Sequence, residues 1–218
     1  MGEFRGFGAG ATAFFAELAA GNDRTWWLAN KRRYEDEVRA PLEALLVDLA
    51  DEFGEAKVAR PNRDTRFSRD KSPYKDYAAA GLQTGPGCGL YLRLSAEGLL
   101  VAGGGYRFAR DQLSRFRAAL DDDEAGGELD AVVATLRRAK ADVGGHTVLK
   151  TAPRGHAPDH PRIDLLRLDG VTAGFAHPPR AWLQSAKVVA KVAEGWRAVA
   201  PLNDWVTRHV GASALEPR

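Results

Sequence analysis

A chain of 218 residues with 44% apolar and 28% charged side chains is long enough to bury a core and ordinary in composition, which excludes wholesale disorder. The net charge is only +2, which excludes a protein whose whole surface coats nucleic acid or membrane, though one local patch can still touch either. Cys88 is the only cysteine, so no internal disulfide can form; it reads as a small apolar filler in a glycine-rich turn, with no identifiable base to activate it.

The opening Met1-Gly2-Glu3-Phe4-Arg5-Gly6 lacks the apolar run of a secretory leader, and position 6 offers no Ser or Thr for myristoylation. No apolar run approaches the ~20 residues of a membrane span. A cytoplasmic protein without a membrane partner is the simplest expectation.

Thr12 to Ala20 predicts a short helix stopped by Gly21, and Asn22 or Asp23 is placed to cap the next one. Trp27, Lys31, Tyr34, Val38, Leu42, Leu45, Leu49 and Phe53 recur at helical spacing. Pro41 interrupts that stripe, which predicts a kink or two consecutive helices with Pro41 near the start of the second; Gly54 ends the run. Trp26 and Trp27 can form a stacking platform, but core packing is the better expectation.

From Ala56 the period changes. Ala56 to Phe67 reads as extended, and Tyr77 to Gln83 as either extended or helical. Gly89 to Leu94 and Leu99 to Ala102 predict a hairpin around Ser95-Ala96-Glu97-Gly98. Gly103-Gly104-Gly105 lacks a nucleotide-loop spacing and predicts a bulge or a close approach of another backbone. Asp111 to Leu120 and Glu128 to Lys140 read as amphipathic helices separated by a solvated acidic loop, Asp121-Asp122-Asp123-Glu124. His146 to Lys150 reads as extended and the proline-rich stretch 151–162 as irregular. A short helix follows from Ile163 and a strand from Val171 to Ala176. Two closing helices are expected, Ala181 to Ala198 and Leu202 to Val210. Helices followed by strands and then mixed elements indicate a single α+β domain over residues 1–218, with a largely antiparallel sheet.

The stretch Arg60 to Lys75 stands apart. It holds six cations (Arg60, Arg63, Arg66, Arg69, Lys71, Lys75) against Asp64 and Asp70, a local net charge of +4 in a chain of +2. Read as a strand, Arg60 to Phe67 puts Arg60, Asn62, Asp64 and Arg66 on one face and Arg63 on the other. Charge on both faces does not suit a half-buried strand, so an edge or a polar cleft is expected. Ser72-Pro73 reads as the N-cap and first residue of a short helix whose N–H groups would face an anion. Arginines supply bidentate donors for phosphate or carboxylate, and Lys71 and Lys75 supply point charges. Asp64 and Asp70 are placed to orient those arginines, to bind a divalent metal or to act as a general base, with Asp64 the candidate for chemistry, and Tyr74 is the candidate donor to an oxyanion. An internal Arg–Asp lattice with a purely structural role is the competing reading. A purely structural lattice would tend towards balanced charge, and the cationic surplus tilts against it.

Lys150, Arg154, His156, His160 and Arg162 form a second, looser cationic group. Pro158 rules out a helical metal pair for His156 and His160, and no metal site is assigned. If that loop folds over the basic stretch, Arg154 joins the ligand contacts and His160, with Asp159 beside it, can exchange protons.

Arg60-x-x-Arg63-Asp64-x-Arg66-Phe67-x-x-Asp70-Lys71-x-x-Tyr74 resembles the signature of a bacterial and fungal family known as domain of unknown function 2461. Phe14-x-x-Leu18 with Asn22-x-x-x-Trp26, the region Tyr34 to Pro41, Leu149-Lys150 to Leu166, and Pro201-Leu202-Asn203-x-Trp205 are similar to other parts of that family, over about 12–210. Trp27 departs from an expected Phe but keeps an aromatic ring. The resemblance implies a single α+β domain and brings no activity, substrate or cofactor with it.

The expected function is binding or processing of a phosphate- or carboxylate-bearing small molecule. Arg60, Arg63, Arg66, Lys71 and Lys75 would hold the anion, while Asp64 and Tyr74 would do any chemistry. The alternatives are a nucleic-acid or anionic-partner module, which the near-neutral charge and lack of interleaved exposed aromatics disfavour, and the structural lattice.

Overall fold

The computed structural model describes residues 4–66 and 70–215. Its element order runs α1 (Gly10–Ala20), α2 (Arg24–Tyr34), a π-helical turn (Glu35–Arg39), α3 (Ala40–Phe53), β1 (Lys57–Val58), β2 (Tyr77–Gly85), β3 (Cys88–Ser95) and β4 (Gly98–Gly105). There follow α4 (Arg110–Asp121), α5 (Asp123–Arg138), β5 (Asp142–Gly144), α6 (Ile163–Leu166), β6 (Val171–His177), a 3₁₀ turn (Ala181–Gln184) and α7 (Lys187–His209). One six-stranded antiparallel sheet, in the order β1-β2-β3-β4-β6-β5, gives the α+β class expected. No helix among the described residues is long and apolar enough to cross a membrane.

The chain divides into two interleaved compact units. The first is Met1–Leu82 with Tyr91–Val101 and Ala176–Glu194. In it Asp23 caps α2 by accepting the Trp26 N–H, and Gly54 closes α3 at φ +91. Between α2 and α3 the ladder widens: the Ala40 N–H reaches the Glu35 carbonyl, five residues back. Pro41 explains this, since it has no N–H to donate and its ring would strike the carbonyl four residues earlier in an α-helix. The predicted interruption is therefore a π-turn. Phe14, Phe15, Leu18, Trp27, Tyr34, Leu42 and Leu45 fill the helical layer. Trp27 is core, as expected, within 6.1 Å of Phe14 and 5.0 Å of Tyr34, ring to ring. Burial raises the Tyr34 hydroxyl to about 12.

The second unit is Gln83–Leu90, Ala102–Phe175 and Gly195–Arg218. Phe116, Leu120, Leu129, Leu166, Val171, Val199, Leu202 and Trp205 form its core. The thiol of Cys88 is buried at the start of β3 rather than in a turn, and it donates to the Asn203 carbonyl at 3.5 Å. The acidic run is not a loop: Asp122 caps α5 by accepting the Glu124 and Ala125 N–H groups, and Asp123 and Glu124 lie in its first turn, where carboxylates favour the helix dipole. The two predicted closing helices are one, α7, which passes through Pro201. The glycine triplet lies in β4, and the close backbone approach expected of it is real. At Gly104 φ is +122 and a Cβ would lie 2.2 Å from the Val171 carbonyl oxygen.

Gly104→Ala combines a left-handed backbone with that collision, so it lowers stability by about 2 kcal/mol or more. Urea unfolding checks this, through a reduced midpoint at unchanged slope.

Candidate functional site

The basic stretch belongs to the first unit, and it is not a strand. Regular pairing stops at Val58, and Asn62 makes only an isolated bridge to Tyr74. Pro61 has no N–H for a ladder but its carbonyl accepts from Lys75 N at 2.8 Å, while Arg63 N donates to the Pro73 carbonyl at 2.8 Å. Two backbone bonds thus fold 61–63 against 73–75 as an irregular loop. The expected helix at Ser72-Pro73 is also absent. The Asp70 carboxylate takes the Ser72 N–H at 2.9 Å, Tyr74 sits in the bridge, and the next element is β2. No helix N-terminus is therefore built at Ser72-Pro73. Phe67, Ser68 and Arg69 lie outside the described residues, so the strand's predicted end and one of the six cations are not placed.

Tyr74 anchors the loop. Its ring stacks on Trp27 at 4.2 Å and 10°, and it is buried. Its backbone is held from both sides by one amide: Asn22 Nδ2 donates to the Tyr74 carbonyl at 2.9 Å, and the Tyr74 N–H donates to Asn22 Oδ1 at 3.2 Å. Asn22 is thus a clamp, while its neighbour Asp23 is the cap.

The charged side chains are arranged around that anchor. Arg66 donates through Nε (3.0 Å) and Nη2 (2.7 Å) to the two oxygens of Asp64, which also accepts the Arg66 N–H. These hydrogen bonds hold the Asp64 carboxyl down to about 2. Arg63 bridges Asp70 and Asp76, with a 3.3 Å contact to the latter, and its Nε is buried without a partner. Lys71 Nζ donates to the Thr65 carbonyl at 2.8 Å and Lys75 Nζ to the Arg60 carbonyl at 3.0 Å. Burial first, then the guanidiniums of Arg60 and Arg63, pushes the Lys75 ammonium below the usual lysine range. Arg60 itself has no ion pair among the described residues.

Arg154 and His160 belong to the second unit. The partner of His160 is not Asp159: His160 Nε2 faces Asp121 at 3.5 Å, and its Nδ1 accepts the Arg162 N–H at 3.1 Å. That network assigns the neutral imidazole proton to Nε2. His156 Nε2 reaches the other Asp121 oxygen at 3.1 Å, and Arg162 pairs with Asp130 at 2.8 Å. These contacts tie the proline-rich loop to α4 and α5. Among the described residues no group of three or more His, Cys, Asp or Glu could hold a metal ion.

The sequence reading missed Asp76 and the clamping role of Asn22. Asp76 lies one residue beyond the charged window, and Asn22 is 52 residues from Tyr74, a separation that no local pattern announces.

Asn22→Ala removes both bonds to a partly buried backbone and costs about 1–3 kcal/mol. Thermal melts should show the loss, together with a changed Trp emission as the Trp27–Tyr74 stack loosens. Asp64 gives a pH signature. Its folded-state pKa is depressed from 3.8 to about 2, so its stabilising contribution is complete above roughly pH 4 and vanishes as pH falls through about 2. Its carboxyl carbon resonance should titrate near pH 2, and Asp64→Asn should flatten this part of the acid unfolding curve.

A family model described as conserved hypothetical protein (DUF2461) matches residues 10–205. No curated protein and no solved structure matches the chain. The matched span takes in both the helical layer that carries Asn22 and Trp27 and the basic loop, and by it the chain belongs to this family of conserved hypothetical proteins.

Proposed function

We propose that the loop 60–76 binds a small molecule bearing a phosphate or carboxylate group. The observation that carries this reading is the crowding of Arg60, Arg63 and Lys75: backbone bonds fold 61–63 against 73–75, Lys75 Nζ reaches the Arg60 carbonyl, and burial first, then the two guanidiniums, disfavours the Lys75 ammonium. An anion seated among them relieves that repulsion. Arg60 and Lys75 are the primary contacts, with Lys71 and Arg63 behind them. Arg66 is pre-aligned by Asp64.

The protonation state of Asp64 favours binding over catalysis. A carboxylate held near 2 is a weak proton acceptor at neutral pH, so its role in this reading is to orient Arg66. Tyr74 acts mainly as the pillar under the loop. Its hydroxyl is the group left for hydrogen bonding to the ligand.

A second reading has its own support. Arg63 and Arg66 already pair with Asp70, Asp76 and Asp64, as a structural lattice requires. The Arg66–Asp64 pair is exposed, at 77% and 47% accessible, and exposed pairs add little to stability, while Arg63 at 25% is the more sheltered member. Five placed cations also face only three carboxylates, which a self-sufficient lattice does not need.

Arg60→Gln separates the two readings, because it removes an exposed cation that has no ion-pair partner among the described residues. Titration calorimetry with inorganic phosphate and with a tricarboxylate should show affinity reduced roughly tenfold at unchanged melting temperature. Wild-type protein that takes up neither anion would return the loop to the lattice reading.

A further inference from the structure

The second unit carries a surface on which exposed rings and cations without counter-ions coincide. Tyr106 follows β4 and is 65% accessible, and its ring lies 4.7 Å from that of His146. Val148 (56%) and Leu149 (41%) continue the exposed apolar strip. Two loops make the platform, and Asp169 ties them together: its carbonyl accepts the Phe108 N–H at 2.8 Å and its carboxylate accepts the Thr147 N–H at 2.6 Å. Gly170 lets the backbones close up, since a Cβ there would lie 2.4 Å from the Gly105 carbonyl oxygen and 2.5 Å from that of Tyr106. The strip is completed by the Val148–Leu168 bridge and by Leu149 N donating to the Arg167 carbonyl at 2.9 Å. The rings therefore project from a backbone fixed on both sides.

The exposed cations along these loops outnumber Asp169, the carboxylate that ties them, three to one. Arg107 is next to Tyr106, Lys150 next to Leu149, and Arg154 four residues beyond; all three are exposed. Among the described residues none of the three has an ion pair or side-chain hydrogen bond. The Asp169 carboxylate accepts the Thr147 N–H. Elsewhere in this unit Arg115, Arg162 and Arg208 each have a carboxylate within ion-pair distance.

We infer that this surface binds single-stranded nucleic acid, with bases stacking on Tyr106 and His146 and the phosphates meeting Arg107, Lys150 and Arg154. Rings beside unpaired cations are the combination that single strands use, because every base offers a flat face and every linkage a negative charge. A second copy of the chain fits less well, since a two-fold contact on this face would oppose its like charges. The surface is separate in residues and in chemistry from the loop 60–76, and the inference does not depend on that loop.

The experiment is fluorescence anisotropy with a labelled dT12 oligonucleotide, an abasic oligomer of the same length and a 12-base-pair duplex, at ~50 mM and ~200 mM salt. Expected are binding of dT12 that weakens with salt, at least tenfold weaker binding of the abasic oligomer, and roughly tenfold loss in Tyr106→Ala with recovery in Tyr106→Phe. Lys150→Gln with Arg154→Gln should lower the logarithmic salt slope by about 1.4. Tyr106 is exposed, so circular dichroism should show these variants folded. No binding at ~50 mM salt overturns the inference. So does equal affinity for the abasic oligomer or the duplex, an unchanged Tyr106→Ala, or a self-association that Tyr106→Ala abolishes.

Discussion

A single asparagine amide fixes the part of this protein that carries its charge. Asn22 offers its N–H to the Tyr74 carbonyl and its carbonyl to the Tyr74 N–H, and the Trp27 ring lies flat on the Tyr74 ring. Both Asn22 and Trp27 stand at the start of α2, whose own position is set by the Asp23 cap and by Phe14 packing on Trp27 and Tyr34. Apart from the Asn62–Tyr74 bridge, the described residues of the loop lie outside helices and strands, so without this clamp ordering them would cost entropy with little burial in return. With the clamp, the two backbone bonds between 61–63 and 73–75 become local and cheap to close. The cations then project from a fixed frame, which is the condition for anion binding without a large ordering penalty.

The side-chain network adds direction rather than strength. Lys71 and Lys75 point their ammonium groups at carbonyls of the opposite limb, so each cation also stitches the loop. Arg66 donates to both oxygens of Asp64 through two bonds, which fixes the direction of its guanidinium. The proline-rich loop of the second unit is fixed by other means. There His156 and His160 share the two oxygens of Asp121, and the Arg162 guanidinium donates to the Leu120 carbonyl and to Asp130, so tight that a Cβ on Gly126 would lie 2.7 Å from Cζ. Both ring nitrogens of His160 are engaged, Nδ1 by the Arg162 N–H and Nε2 by Asp121, so this side chain serves the fold.

What the sequence made legible was local. The Asp23 cap, the Gly54 stop, the interruption at Pro41 and the hairpin at Ser95–Gly98 each rest on residues a few positions apart, and each stands in the structure. The failures came where a longer-range partner overruled a local preference. Ser72-Pro73 has the chemistry of a helix start, but Asp70 captures the Ser72 N–H and the Asn62–Tyr74 bridge pulls the chain into extended form. Pro201 has the chemistry of a break, yet Val188, Val192, Trp196, Val199, Leu202 and Val206 are spaced three or four apart and all buried, and that stripe outweighs one lost hydrogen bond. The charge anomaly of residues 60–75 was legible because charge is counted without a fold. The clamp by Asn22 was not, because nothing in a sequence announces which amide will meet which backbone.

A chain of net charge +2 can still carry locally positive surfaces. Its carboxylates are concentrated on helices, where spacing pairs them with arginines: Asp36 with Arg32, Glu37 with Arg33, Glu35 and Glu43 with Arg39, and Asp111 with Arg115. Charges so matched cancel within one or two turns. The loops are compensated only in part: Arg63, Arg66 and Arg162 have carboxylate partners, while Arg60, Arg107, Lys150 and Arg154 are left without counter-ions among the described residues. Screening over about 8 Å at physiological salt keeps the paired helices from neutralising a distant loop. What an approaching anion meets is therefore the local excess. Net charge describes the solubility of the protein, while the distribution of its carboxylates decides where it can bind.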